Sequence, residues 1–203
     1  RVNDCLSRAV AYVLGKKEHR DVEVGISDNG FYIASDRRLP AVGALQFLTA
    51  ENVLKVLTAA IDRSEVLSRR FRHCATRSLM ILRQYKGQRK GVGRQQMGSR
   101  ILLSAVKRIS SEFPILQEAR REVLEDLMDY PHTQQVLQQI REGKIEIKER
   151  YTSLPSPFAL GLIMQGYSDL IKIEERDEFL RRMHQMILAK ISLEEGKKSL
   201  VSG

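Results

Sequence analysis

Apolar residues in this chain recur at helical spacing along most of its length, and that period points away from a sheet-dominated fold. Residues 3–15 place Leu6, Val10, Val13 and Leu14 on one side of a helix. Residues 40–48 and 50–62 give two short helices, the second opened by Glu51 and Asn52 and carrying Val53, Leu54, Leu57 and Ile61. A longer helix is predicted over 65–85. Its inner side holds Leu67, Phe71, Cys74, Ala75, Ser78, Leu79, Leu82 and Tyr85. Its outer side holds Arg69, Arg72, His73, Thr76, Met80 and Arg83, with Arg70 and Arg77 on the flank. The stretch 86–94, with three glycines, breaks it. A helix over 95–111 is expected to bury Ile101, Leu102, Ala105, Val106 and Ile109 and to turn Arg100, Lys107 and Arg108 outward. Pro114 suits the first turn of a helix over 114–128. Pro131 separates it from a helix over 132–142, which Gly143 caps. Ser156 as N-cap and Pro157 as first residue open a helix over 157–171, and a last helix covers 176–191.

The clearest alternation lies between residues 22 and 35. Val22, Val24 and Ile26, then Asp28-Asn29-Gly30, then Phe31, Ile33 and Ser35 read as a β-hairpin with a type I′ turn at Asn29-Gly30. That turn sets Ile26 opposite Ile33 and puts Val24, Ile26, Phe31 and Ile33 on one buried face. Lys144 to Lys148 alternates as well and is a candidate third strand. The expected fold is therefore α+β and predominantly helical, with eight to nine helices and a small antiparallel sheet built on the 22–35 hairpin. The expected organisation is one domain over 1–203: a hairpin-containing first part to residue 62, a basic helical part over 63–193, and a frayed tail over 194–203.

Charge is distributed unevenly. Residues 63–100 hold nine Arg and two Lys against the single acid Glu65, a net +10, whereas the whole chain carries +9. A dense positive zone on an otherwise balanced protein is the electrostatic footprint of a polyanion, and phosphate neutralisation makes nucleic acid the first candidate. Arg side chains and the backbone N–H groups of a Gly-rich loop suit phosphate oxygens. The predicted phosphate contacts are Arg69, Arg72, Arg77, Arg83, Lys86, Arg89, Lys90, Arg94, Arg100 and Lys107. Base stacking falls to Tyr85 or His73, with Phe31, Tyr32 and Tyr167 as further aromatics of the chain. The alternative is a solvated surface with some of these Arg residues paired to acids of the 114–126 stretch.

Other chemistry finds no support. Gly-x-x-x-x-Gly-Lys-Ser/Thr, Gly-x-Gly-x-x-Gly, Gly-x-Ser-x-Gly and His-Glu-x-x-His are all absent. Cys5 and Cys74 are too few for a disulfide framework and fit a reducing cytoplasm. The four His are scattered, without the spacing of a zinc site. His73 and Cys74, adjacent on a helix, point about 100° apart, which disfavours a catalytic pair. There is no apolar run of 18 residues to span a membrane and no leader at Arg1-Val2-Asn3-Asp4. The missing initiator Met suggests an excised piece of a longer protein.

Five blocks in order resemble a known family. They are Phe71-Arg72-x-x-Ala75-x-Arg77-x-Leu79; the Gly-broken basic stretch; Phe113-Pro114-Ile115-x-x-Glu118-x-x-Arg121-Glu122-x-Leu124-x-Asp126; Leu137-x-x-Ile140-x-x-Gly143-x-Ile145; and Ser156-Pro157-Phe158-Ala159. Together they resemble the C-terminal helicase-associated domain of Lhr, or large helicase-related, proteins of helicase superfamily 2, in an archaeal-like version. The opening stretch through Phe31-Tyr32 is similar too. The resemblance implies a parent with two RecA-like lobes and a winged helix, an ATP-dependent 3′-to-5′ translocase that uses ATP and Mg and acts in repair or RNA metabolism. This chain would help to enclose the tracking strand, with single-stranded DNA or RNA, RNA–DNA hybrids and the RecA-like and winged-helix domains as partners. It lacks ATPase motifs of its own, is expected to be inactive alone, and is expected to hold no cofactor. Some relatives use a Trp as a stacking platform, and this chain has none. The rival reading is a docking module whose basic face packs on the motor lobes or on another protein.

Overall fold

The computed structural model describes residues 1–18, 22–35, 37–152, 156, 159, 161–164, 178, 180–189 and 191–192. It is predominantly helical with small antiparallel β elements, the class expected from the sequence. Two compact units are present: Arg1–Val24 with Ile33–Ile147, and Gly25–Tyr32 with Lys148–Gly203.

In the first unit, α1 (Val2–Glu18) packs against α2 (Ala41–Phe47), α3 (Val53–Ile61) and α7 (Tyr130–Arg141). Helix α1 buries Cys5, Ala9, Val10 and Leu14, a stripe with four- and five-residue steps; α3 buries Val53, Leu57 and Ile61 at four-residue steps. The second layer is centred on α4 (Glu65–Arg77), which packs against α5 (Val92–Ile109), α6 (Pro114–Arg121) and the π-helical segment Glu122–Leu127 that continues α6. Phe71, Leu67 and Leu116 are fully enclosed there, and burial of each such side chain contributes about 1.5–3 kcal/mol.

Local signals act as expected at several ends. Pro114 begins α6, Gly143 follows α7 with φ +72°, and the Ser156 hydroxyl accepts the Ala159 N–H at 3.2 Å. Four expectations are corrected. Pro131 lies inside the first turn of α7, where its missing N–H costs nothing; Asp129 is the cap, accepting from the His132 N–H. Residues 144–148 form no strand, because the Lys144 and Ile145 N–H groups bond back to the Gln139 carbonyl. The hairpin β1 (Glu23–Ser27) and β2 (Gly30–Ala34) exists, but its turn is Asp28-Asn29. Its residues are only half-buried or exposed, so the expected face of Val24, Ile26, Phe31 and Ile33 is not fully enclosed. Among the described residues positive φ is confined to Leu79, Lys86, Gly87 and Gly143, so Asn29-Gly30 makes no type I′ turn. The Tyr32 ring occupies the space that a Cβ on Gly25 would need.

The fourth correction is the largest. Helix α4 ends at Arg77, not 85, with Ser78 as C-cap and Leu79 left-handed at φ +60°. The type I′ turn is at Lys86-Gly87, φ +49° and +75°, and it closes a ribbon of β3 (Gln84–Tyr85) and β4 (Gln88–Arg89). A backbone bond from Lys90 N–H to the Arg83 carbonyl, 2.9 Å, extends it. A ribbon over 83–90 and a helix through 85 exclude each other. Turn chemistry prevails over apolar period, and Leu79, Met80 and Leu82 are left exposed.

In the second unit, the Leu162 side chain lies where a Cβ on Gly30 at the hairpin tip would meet it, and Met164 and Met183 are buried. Residues 159, 161–164, 178, 180–189 and 191–192 are helical. The tail 194–203 and Tyr167 lie outside the described residues, as do parts of both last predicted helices. No helix among the described residues is long and apolar enough to cross a membrane.

Candidate nucleic-acid interface

Burial of Leu67, Phe71, Cys74 and Ala75 fixes the rotation of α4 and thereby turns Arg69, Arg72 and His73 outward. Ser64 starts the helix, its hydroxyl accepting the Leu67 N–H at 3.2 Å. Two hollows flank the exposed face. One, of about 490 Å³, is lined by Val66, Arg69, Arg70, His73 and Arg77 of α4, by Arg83 at the foot of the ribbon, and by Leu127 at the end of the π-helical segment. The other, of about 120 Å³, lies against α5 and is lined by Glu65, Ser68, Arg69, Arg72, Gln96, Ser99 and Arg100. Arg69 lines both hollows, and Arg83 is returned to the face of α4 by the end of the helix at Arg77.

Ion pairing divides the predicted contacts into two groups. Arg77 and Arg70 both bind Glu122, whose carboxylate is 4% exposed. Arg77 also donates to the Cys74 sulfur at 3.4 Å. The Glu122 hydrogen bond holds the Arg77 guanidinium above its ordinary value. Burial, aided by Glu122, pushes the Cys74 thiol up. Arg100 faces Glu65 at 3.4 Å, both well exposed. Lys107 donates to the Asp62 carbonyl and, at 3.1 Å, to its carboxylate, which Arg120 also holds at 2.8 Å. Arg69, Arg72, Arg83, Arg89, Lys90 and Arg94 make no ion pair among the described residues. Lys86 sits at the ribbon turn, where its backbone φ is +49°.

The structure thus gathers Arg69, Arg72, His73 and Arg83 around the face of α4. It carries Lys86, Arg89 and Lys90 on the ribbon and Arg94 in the first turn of α5, which has no acid and no side-chain cap at its start. That helix start adds its own positive field. Arg77 and Lys107 are engaged in ion pairs within the chain, to Glu122 and Asp62. His73 is exposed beside four guanidinium groups of the larger hollow. The side chain of Tyr85 lies outside the described residues. Sequence reasoning left out Arg70, which lines the larger hollow. The available signal was its seven-residue spacing from Arg77, which puts both on the same flank of the helix. No group of three or more His, Cys, Asp or Glu among the described residues is placed to hold a metal ion.

Comparison with known proteins places these residues in context. Residues 1–159 match the family profile described as DEAD/H associated. The ATP-dependent helicase Lhr-Core of Methanothermobacter thermautotrophicus is 53% identical over 191 residues, 94% of this chain and 22% of that protein. Its counterpart in Saccharolobus solfataricus is 39% identical over 93% of this chain and 22% of that protein. The solved structure of the Mycobacterium smegmatis helicase Lhr bound to single-stranded DNA and AMP-PNP superposes with a TM-score of 0.66 at 30% identity, over 79% of this chain and 20% of the other. The chain therefore spans about a fifth of the length of these relatives.

Proposed function

The chain belongs to the DEAD/H associated family, and from that premise we propose that it is the nucleic-acid-binding accessory domain of an Lhr-type helicase, contributing one wall of the path taken by a single strand. The observation that carries this reading is the division of the basic residues. Arg70, Arg77, Arg100 and Lys107 have acidic partners, while Arg69, Arg72, Arg83, Arg89, Lys90 and Arg94 have none among the described residues and cluster on one helix face, the ribbon and the start of α5. Unpaired guanidinium groups lining hollows are suited to phosphate oxygens, which they hold in bidentate geometry. The similar M. smegmatis helicase, solved with single-stranded DNA, supports the same ligand class.

In this reading the contacts are to the phosphate backbone and are independent of sequence. His73 is placed to stack on a base that enters the larger hollow. DNA, RNA and RNA–DNA hybrids share the phosphate chemistry and are all substrates of the reading. ATP and Mg²⁺ would be bound by parts of a helicase-length protein outside these 203 residues, in the cytoplasm.

Charge reversal tests it. The variant Arg69→Glu/Arg72→Glu/Arg83→Glu changes exposed or half-exposed positions and should keep its helical circular dichroism. It should lose roughly 100-fold or more in affinity for a single-stranded oligonucleotide at about 0.1 M salt, since several phosphate contacts are lost and repulsion is added. Unchanged binding, with a loosened attachment to the rest of the helicase, would favour the docking reading of the same face.

A further inference from the structure

Helix α5 has two apolar sides, and the fold covers one of them. Its enclosed residues are Ser99, Leu103 and Val106. Of the residues that periodicity assigns to the interior, Val106 is enclosed and Leu102 half-buried, but Ile101 is 64% exposed and Ile109 71%, with Ala105 exposed between them. Met97, 61% exposed, continues the line toward the start of the helix. Positions 97, 101, 105 and 109 follow one another at four-residue steps, so they form a single ridge along the outward side. Arg94 and Arg108 stand at the two ends of the ridge, and α5 contains no acidic residue at all.

A helix face meant for water carries polar residues and pairs of opposite charge at such steps. This one carries Met and Ile, which have nothing to offer phosphate or water. A continuous exposed apolar patch of this kind marks a protein contact. The ridge runs along about 18 Å of helix and presents on the order of a few hundred Å². That falls short of the roughly 800 Å² per partner of a stable association between separate molecules. A tethered partner needs far less, because its effective concentration is high. Relatives supply such a tether: the matching stretch is 22% of the length of Lhr-Core proteins, so most of a protein of that kind lies outside these residues.

We propose that the Met97–Ile101–Ile109 ridge of α5 is the seat of another part of the same polypeptide, outside residues 1–203, that presents an apolar surface with acidic side chains at its rim facing Arg108. The proposal uses a different face from the nucleic-acid reading and stands without it. It holds α5 as the fixed side of the domain and leaves the face of α4 and the ribbon open to ligand.

The test uses a helicase-length protein carrying these 203 residues, with a benzophenone amino acid at position 101 and, separately, at position 72. After irradiation, crosslinked peptides are identified by mass spectrometry. Position 101 should crosslink to the same polypeptide outside this segment, and position 72 should do so far less. No crosslink from position 101, a crosslink only to residues 148–203, or a crosslink only to a second copy overturns the proposal. The variant Met97→Ser/Ile101→Ser gives a second readout. It should leave the melting midpoint of the 203-residue chain within about 1 °C and lower that of the helicase-length protein by several degrees. An equal fall in both, or in neither, contradicts it.

Discussion

Helices α4 and α5 pack against each other and share one interior, yet their outward faces have opposite chemistry. Helix α4 shows the solvent Arg69, Arg72 and His73; α5 shows it Met97, Ile101 and Ile109. A guanidinium is stable in water and gains from a phosphate, so the face of α4 suits a ligand that comes and goes. An apolar ridge is costly in water at about 25 cal/mol per Å², so the face of α5 suits a partner that stays. An exposed surface therefore has to be read by its chemistry. On these two helices it describes a working side and a mounted side.

The sharpest way to break this comparison is to truncate one residue of the shared interior and one residue of the exposed ridge. Phe71 is fully enclosed, and Phe71→Ala should cost about 3–5 kcal/mol in denaturant unfolding of the 203-residue chain. Ile101→Ala, a similar loss of apolar volume on the exposed ridge, should stay within about 0.5 kcal/mol. Comparable losses would mean that α5 is covered within the chain.

Glu122 offers a second contrast, between the paired and the unpaired Arg residues. Glu122→Gln should cost about 1–2 kcal/mol, less than the ~3–5 of a fully enclosed pair, because the Arg77 side chain is 62% exposed and partly solvated. The same variant should leave single-strand affinity unchanged or slightly raised, since it frees two guanidinium groups beside the larger hollow. Single substitutions sharpen the point: Arg83→Ala should weaken binding roughly fivefold at about 0.1 M salt, and Lys107→Ala by less than twofold, read by anisotropy.

The smallest effect concerns acid. Burial raises the Asp62 carboxyl, but hydrogen bonds from Arg120 and Lys107 outweigh it and hold the group below its ordinary value. A depressed carboxyl stabilises the fold above its unfolded value of about 3.9 and loses that contribution as pH falls through its lower folded value. Asp62→Asn should therefore flatten the acid limb of stability against pH below about 4, by less than about 1 kcal/mol because the carboxylate is partly solvated.

Much of this molecule was legible in its sequence, for particular reasons. Leu67, Phe71, Cys74 and Ala75 fixed the rotation of α4, and the Arg residues opposite them followed from 3.6-residue geometry. Gly143 and Ser156 sit where helix-end chemistry requires. The end of α4 at Arg77 was not legible, because Leu79 and Leu82 continue an apolar period although the chain turns away; the signal was Lys86-Gly87, whose turn closes a ribbon. The hairpin at 22–35 was found, and its turn was misplaced by one residue because Asn29-Gly30 makes the stronger motif. On α5, Val106 was read correctly as covered, and Ile101, Ala105 and Ile109 wrongly so. Periodicity reports which side chains avoid water and does not say which part of a longer protein covers them. The engagement of Arg77 and Lys107 depends on Glu122 and Asp62, each 45 residues away in sequence, and no local pattern reveals such pairs.

The measurement that tests the account most directly is the salt dependence of single-strand binding by the 203-residue chain, read by fluorescence anisotropy with a labelled oligonucleotide. Three to five phosphate contacts predict a slope of log K against log salt of roughly −2 to −4, at about −0.7 per phosphate. Binding that weakens along that slope, and flattens in the Arg69→Glu/Arg72→Glu/Arg83→Glu variant, is the predicted result. A flat salt response, or a slope that survives the triple reversal, would contradict the assignment of the strand to the face of α4.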